Sequence, residues 1–143
     1  MFDLLIRDVM ERENSLALSP DTTVIAAAEL MAERKLGAAM IVERERLVGI
    51  FTERDALFRV VARGLDTRTT KLAAVMTAEP RTVGPASAYG YALLMMQENG
   101  FRHAPVVENG RPIGIVTSRN AMDPDLEEFV AEANRREHIR EEC

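Results

Sequence analysis

Apolar residues recur along this chain with two spacings, one close to 3.6 and one that breaks into short continuous runs. Val24, Ala27, Ala28 and Met31 share one face of a helix, and so do Tyr89, Ala92, Leu93 and Met96. The first helix is expected to begin after Thr22 or Thr23, whose hydroxyl can accept an orphan backbone N–H. Each helix is followed by a predicted strand, AAMIVE (Ala38 to Glu43) and HAPVVE (His103 to Glu108). Turns come next: the charged run Arg44, Glu45, Arg46 in one case, and Asn109-Gly110, a strong hairpin signal, in the other. The return strands are LVGIF (Leu47 to Phe51) and PIGIV (Pro112 to Val116). A second helix is predicted from near Thr52 through Leu57, Val60 and Val61 to Gly64, a glycine suited to end it. Asp123-Pro124 opens a last helical stretch to Glu142, with Leu126, Phe129, Val130 and Ala133 as its apolar stripe.

The two halves of this pattern are one pattern repeated. LVGIFTERDAL (Leu47 to Leu57) returns as PIGIVTSRNAM (Pro112 to Met122), with Gly49 and Gly114 separated by 65 positions. The same offset pairs Pro20 with Pro85, Met31 with Met96, Val42 with Val107, Thr52 with Thr117 and Arg54 with Arg119. Upstream, DVM (Asp8 to Met10) and AVM (Ala74 to Met76) match at 66. A unit of about 60 residues buries too little apolar surface to stand comfortably alone, so the copies are expected to pack sheet to sheet about a pseudo-two-fold axis. The order per copy is strand, helix, strand, strand, helix, an α/β (α+β) arrangement of small sheets covered by helices. Residues 1–66 form the first unit with its N-terminal segment, 67–123 the second, and 124–143 the tail; Gly64 to Lys71 is a polar linker.

Composition narrows the functional classes. Aromatics make up 5% and Trp is absent, so the core is aliphatic and draws on eight methionines. A net charge of -5 disfavours a nucleic-acid binder, which needs a cationic face, but it leaves room for one local basic pocket. No run reaches the roughly 20 apolar residues of a membrane helix. Met1 to Met10 is too short and too charged for a secretory segment. Cys143 is the one cysteine, which excludes an internal disulfide or a cysteine metal cage, and His103 has no partner at metal-ligand spacing. Such a chain is expected to be soluble and cytoplasmic.

VMTAEPRTVGP (Val75 to Pro85), GFRHAPVVENGRPIGIVTSRN (Gly100 to Asn120) and LVGIFTERD (Leu47 to Asp55), in order and in duplicate, resemble the cystathionine-β-synthase (CBS) family. The resemblance spans roughly Leu5 to Met122. It implies a Bateman module: two CBS motifs facing each other, two clefts between them, and pairing of modules into a homodimer. Members bind adenine nucleotides, among them AMP, ADP, ATP, S-adenosylmethionine and NAD, as regulatory ligands and not as catalytic cofactors. AMP or ATP is the expectation here, with a separate effector protein as partner.

Thr52, Arg54 and Asp55 have a chemical reason to bind such a ligand. They stand where a strand ends and a helix begins, and free N–H groups at such a junction favour phosphate. Thr52 can donate to a phosphate oxygen, Arg54 can add charge, and the resemblance gives Asp55 the ribose diol. Thr-x-x-Asp is equally a capping box, useful to any helix start. The second copy keeps Thr117 and Arg119 but has Asn120 in place of the aspartate, which holds a diol less well. It also carries Arg102 and His103 where the first copy has Gly37 and Ala38. The resemblance assigns Ser87, Phe101, Arg102 and His103 to the Asp55 cleft, and Thr22, Leu36 and Gly37 to the Asn120 cleft. The first cleft is therefore expected to be the complete one, the second more cationic and less selective for ribose. Neither a nucleophile with its base, nor a carboxylate pair, nor a phosphate-loop lysine is evident, so no enzyme is expected. The alternative is an interaction module whose clefts have lost their ligand.

Overall fold

Thr23 sits in extended conformation and its hydroxyl accepts from the Ala26 N–H at 3.3 Å, which starts helix α2 (Val24–Arg34). This is a computed structural model, and it describes residues 4–119. Helix α2 buries Val24, Ala27 and Met31 and ends at Lys35 in left-handed conformation, φ 56°. Its counterpart α5 (Tyr89–Asn99) lies 65 positions on, begins at Ala88 with no side-chain cap, and ends at Gly100, φ 72°. Tyr89, Ala92, Met95 and Met96 are its buried face.

Each helix leads into a hairpin: β2 (Ala38–Glu43) with β3 (Arg46–Thr52), and β5 (His103–Glu108) with β6 (Arg111–Thr117). Both pairs are antiparallel, and both slip register at the same place in the repeat, after Ile41 and after Val106. Both turns need two residues with positive φ. The second uses Asn109 (55°) and Gly110 (80°), which suit it; the first forces Arg44 (51°) and Glu45 (66°) into the same shape.

The copies exchange their leading segments. Strand β1 (Ala17–Leu18) runs parallel to β2, but the far edge of that sheet is β4 (Thr77–Ala78), which comes from the second copy and pairs with Ile50 and Gly49. The reciprocal contact is Glu11 bridged to Ile115 on β6. Short helices follow the same rule. α4 (Leu72–Val75) packs with Phe51 and Val60 of the first copy, while Ile6 of α1 (Ile6–Val9), together with Met10, packs with Tyr89 and Val116 of the second. Ile6 and Leu72 are fully buried in these exchanged positions, each worth about 1.5–3 kcal/mol of apolar transfer. Residues 5–11 and 71–78, which lead the two repeats in sequence, are thus crossed over in space. A third cluster, Ala38, Met40, Ile50 and Ile115, joins the two sheets, so the expected sheet-to-sheet packing is present.

After β3 the chain departs from the expected helix. Three residues form α3 (Glu53–Asp55), and Ala56–Val61 then winds as a π-helix. The Ala62 N–H reaches the Leu57 carbonyl and the Leu65 N–H reaches that of Val60, both spanning five residues. Such winding does not keep a 3.6 spacing. Val60 is accordingly buried while Leu57 and Val61 face outward, where the sequence pattern places all three on one face. The predicted helix from Asp123 to Glu142 lies outside the described residues.

Candidate functional site

The junction of β3 and α3 is closed upon itself. The Asp55 carboxylate accepts from the Thr52 N–H at 3.0 Å and from the Thr52 hydroxyl at 3.2 Å, while the Thr52 oxygen accepts from the Asp55 N–H. That is a complete capping box. The other carboxylate oxygen takes the Thr77 hydroxyl at 3.4 Å and faces Arg59 Nε at 3.4 Å. Arg59 also donates to the Met76 carbonyl at 2.9 Å. Asp55 is buried, the one charged residue in the described core.

Arg54 points elsewhere, donating to the Gly100 carbonyl of the second copy at 2.9 Å with its guanidinium 5.5 Å from the Phe58 ring centre. It fastens the two copies at the end of α5.

An open cavity of about 740 Å³ lies instead around the second junction, within the size range of small-ligand sites. Its polar lining includes Thr117, Ser118 and Arg119 from the end of β6, with Arg102 and His103 from the start of β5. Its apolar lining is Ala28 and Met31 of α2, Phe51, Ala56 and Ile115. Leu36, Gly37 and Ala38 also line it. The Thr117 hydroxyl oxygen here accepts from the Arg119 N–H two residues on, at 3.2 Å. Lys35, Arg102 and Arg119 outnumber Glu11 and Glu53 among its charged lining residues, giving the cavity a cationic balance.

His103 is the titratable group set across this cavity. A Cβ built on Gly37 would lie 3.2 Å from His103 Nε2 and 3.3 Å from Glu53 Oε1, so both side chains close over that glycine from opposite copies. Burial depresses the His103 pKa below its usual 6.5; the Glu53 carboxylate opposes this and Arg102 adds to it. The imidazole is held toward its neutral form until a further negative charge arrives. Among the described residues no group of three or more His, Cys, Asp or Glu is placed to hold a metal ion, and no helix is long and apolar enough to cross a membrane.

A model of the CBS domain matches twice, over residues 6–62 and 72–124. The chain belongs to the CBS domain family. The mitochondrial CBS domain-containing protein CBSX3 of Arabidopsis thaliana is 31% identical over 141 residues, covering 91% of this chain and 68% of that protein. The CBS domain protein PAE2072 of Pyrobaculum aerophilum, solved in complex with AMP, is 25% identical, with a TM-score of 0.77 over 90% of this chain and 99% of that one. An uncharacterised conserved protein of Pyrococcus horikoshii matches with the same TM-score at 26% identity, over 94% and 95%. Other curated relatives are longer: the Schizosaccharomyces pombe meiotically up-regulated gene 70 protein is 37% identical over 108 residues, only 15% of its length.

Placed on this CBS pair, the residues singled out from sequence divide. Leu36, Gly37, Arg102, His103, Thr117 and Arg119 come together around the cavity. Thr52 and Asp55 form the closed junction, and Arg54 the inter-motif tie. Ser87 lies in a turn, its carbonyl accepting from the Ile6 N–H. Phe101 packs against the second core, and the Thr22 carbonyl accepts from Leu72; neither lines the cavity. Asn120 is outside the described residues. Arg102 and His103, assigned by resemblance to the Asp55 cleft, thus lie with Thr117 and Arg119. Pattern reading missed Lys35, Glu53 and Ser118, although Glu53 and Ser118 occupy matching places in the two Thr-x-x motifs.

Proposed function

We propose that this CBS pair is a regulatory sensor that binds an adenine nucleotide, AMP or ATP, and acts on a separate partner protein. The observation that carries the reading is the cavity's mixed lining, cationic and hydroxyl-bearing groups together with apolar side chains. Phosphate suits the first, through Thr117, Ser118, Arg102 and Arg119; a flat base suits the second, against Met31, Phe51 and Ile115. The AMP held by the Pyrobaculum aerophilum protein supports the ligand class. Thr52, Arg54 and Asp55 then frame the module, and a ribose reaches Asp55 only by displacing Arg59 and Thr77. The module works in the cytoplasm as a homodimer and catalyses nothing; the outward apolar side chains Leu57, Phe58 and Val61 support self-association.

Calorimetric titration with AMP, ATP, NAD and S-adenosylmethionine tests this reading. At least one should bind in the micromolar to low-millimolar range, and Arg102→Gln with Arg119→Gln should weaken it at least tenfold. Absence of binding at millimolar nucleotide would favour the second reading, an interaction module without ligand, which the protein-saturated Asp55 already supports at the first cleft.

A further inference from the structure

Arg46 and Arg111 are the same residue of the repeat, 65 positions apart, and each opens the return strand of its hairpin. The pseudo-two-fold axis sets the two turns side by side, so each arginine reaches across to the second turn residue of the other hairpin. Arg111 finds a carboxylate there, its Nη2 standing 3.1 Å from Glu45 Oε2. Arg46 arrives at Gly110, where its guanidinium fills the space a Cβ would take. Positions 45 and 110 correspond in the repeat, so the ion pair symmetry calls for has lost its acid in the second copy. Neither Arg46 nor Arg12 has an ion-pair partner among the described residues.

These three arginines line one notch of about 470 Å³ together with Glu108, Asn109 and Ile113. It lies at the hairpin-turn end of the strands and shares no lining residue with the Thr117 cavity. Arg12 and Arg46, which have no ion-pair partner among the described residues, line one space with Arg111, three cations against the single carboxylate of Glu108; guanidinium forks suit a phosphate bidentately. Asn109 and Arg111 also line it, and about 470 Å³ exceeds what a single phosphate group needs.

We infer that the notch formed by Arg12, Arg46 and Arg111 is a second anion site, selective for a small phosphate compound of two or more phosphate groups. The site is independent of the nucleotide reading. Being solvent-exposed, it binds more weakly as salt rises.

Titration with inorganic pyrophosphate at fixed ionic strength, followed by calorimetry or by backbone amide shifts, tests it. The protein carrying Arg102→Gln and Arg119→Gln, which disables the other cavity, should still show saturable binding. Arg46→Gln should weaken that binding at least tenfold. Gly110→Glu should do the same by restoring the missing acid, in a turn geometry that Glu45 already adopts at φ 66°. Loss of saturable binding in the Arg102/Arg119 variant, or unchanged affinity in Arg46→Gln, overturns the assignment.

Discussion

Arg59 joins Asp55 to the exchanged strand: its Nε lies 3.4 Å from the Asp55 carboxylate while its Nη1 donates to the Met76 carbonyl at 2.9 Å. Thr77, the next residue, donates to the same carboxylate oxygen. One buried acid thus terminates β3, caps α3, and holds the second motif's leading segment on the first motif's sheet. The second motif cannot build this latch in the same way, because the positions corresponding to Asp55 and Arg59 are Asn120 and Pro124.

Removal of the latch should destabilise the fold before it affects any ligand. Asp55→Ala leaves the Thr52 N–H and the Thr77 hydroxyl without their acceptor and is expected to cost about 2–3 kcal/mol. Arg59→Ala should cost less, about 1 kcal/mol, because its side chain is 42% exposed and its pairing is screened. Urea unfolding of both variants checks the order. Equal, negligible losses would show that the carboxylate is not a structural anchor.

How much of this was legible in the sequence depends on the range of the interaction. The helices at Val24 and Tyr89 and both hairpins were legible because their apolar spacing is local and repeats at one offset. The Thr52–Asp55 capping box was legible too, since its partners are three residues apart. Crossing of the leading segments was not: the apolar character of Ile6 and Leu72 shows that each is buried, but not in which core. Nor could spacing reveal that Thr77 and Arg59 converge on Asp55, which turns the most ligand-like motif of the chain into a structural joint. The π-helical winding of Ala56–Val61 was likewise not legible where a regular helix from Thr52 to Gly64 was expected.

The first hairpin turn should be improvable by copying the second. Arg44 and Glu45 both hold positive φ, a shape that costs non-glycine residues about 1 kcal/mol or more each. Arg44→Asn with Glu45→Gly gives the Asn-Gly pair that this turn favours. The Glu45–Arg111 ion pair is lost, but both side chains are mostly exposed and it contributes at most about 1 kcal/mol. A net gain of about 0.5–1 kcal/mol is expected, read as a higher urea midpoint with unchanged slope. A lower midpoint would mean that the ion pair outweighs the backbone strain.

Gly114 and Gly49 let the exchanged segments approach, yet they should differ in tolerance. A Cβ on Gly114 would lie 2.7 Å from the Glu11 carbonyl oxygen, a backbone atom that moves only with its segment. On Gly49 the nearest contact is Met76 Sδ at 2.5 Å, the end of a flexible side chain, with the Thr77 carbonyl at 3.0 Å. Gly114→Ala is expected to cost about 2–3 kcal/mol and Gly49→Ala nearer 1 kcal/mol. Denaturant midpoints of the two variants decide the order; a reversed order would place the tighter approach at β4.

His103 should make stability and ligand affinity respond to pH in opposite directions. Its pKa in the folded protein lies below 6.5 because burial disfavours the imidazolium; Arg102 reinforces this and Glu53 resists it. Between the folded and unfolded pKa values the unfolded chain binds more protons, so stability rises with pH and is lost as acid approaches the folded pKa. His103→Gln should flatten that slope below about pH 6.5. Lys35, Glu11 and Arg119 also line the cavity. A phosphate ligand beside Arg102 adds negative charge near the imidazole, raises its pKa, and is bound with uptake of a proton. His103 should therefore contribute a tightening of nucleotide affinity on acidification, read as the difference between the wild-type and His103→Gln profiles, since the ligand's own phosphate, with a second pKa of about 6, titrates in both. If the substitution leaves both profiles unchanged, the imidazole neither titrates in this range nor faces the bound phosphate.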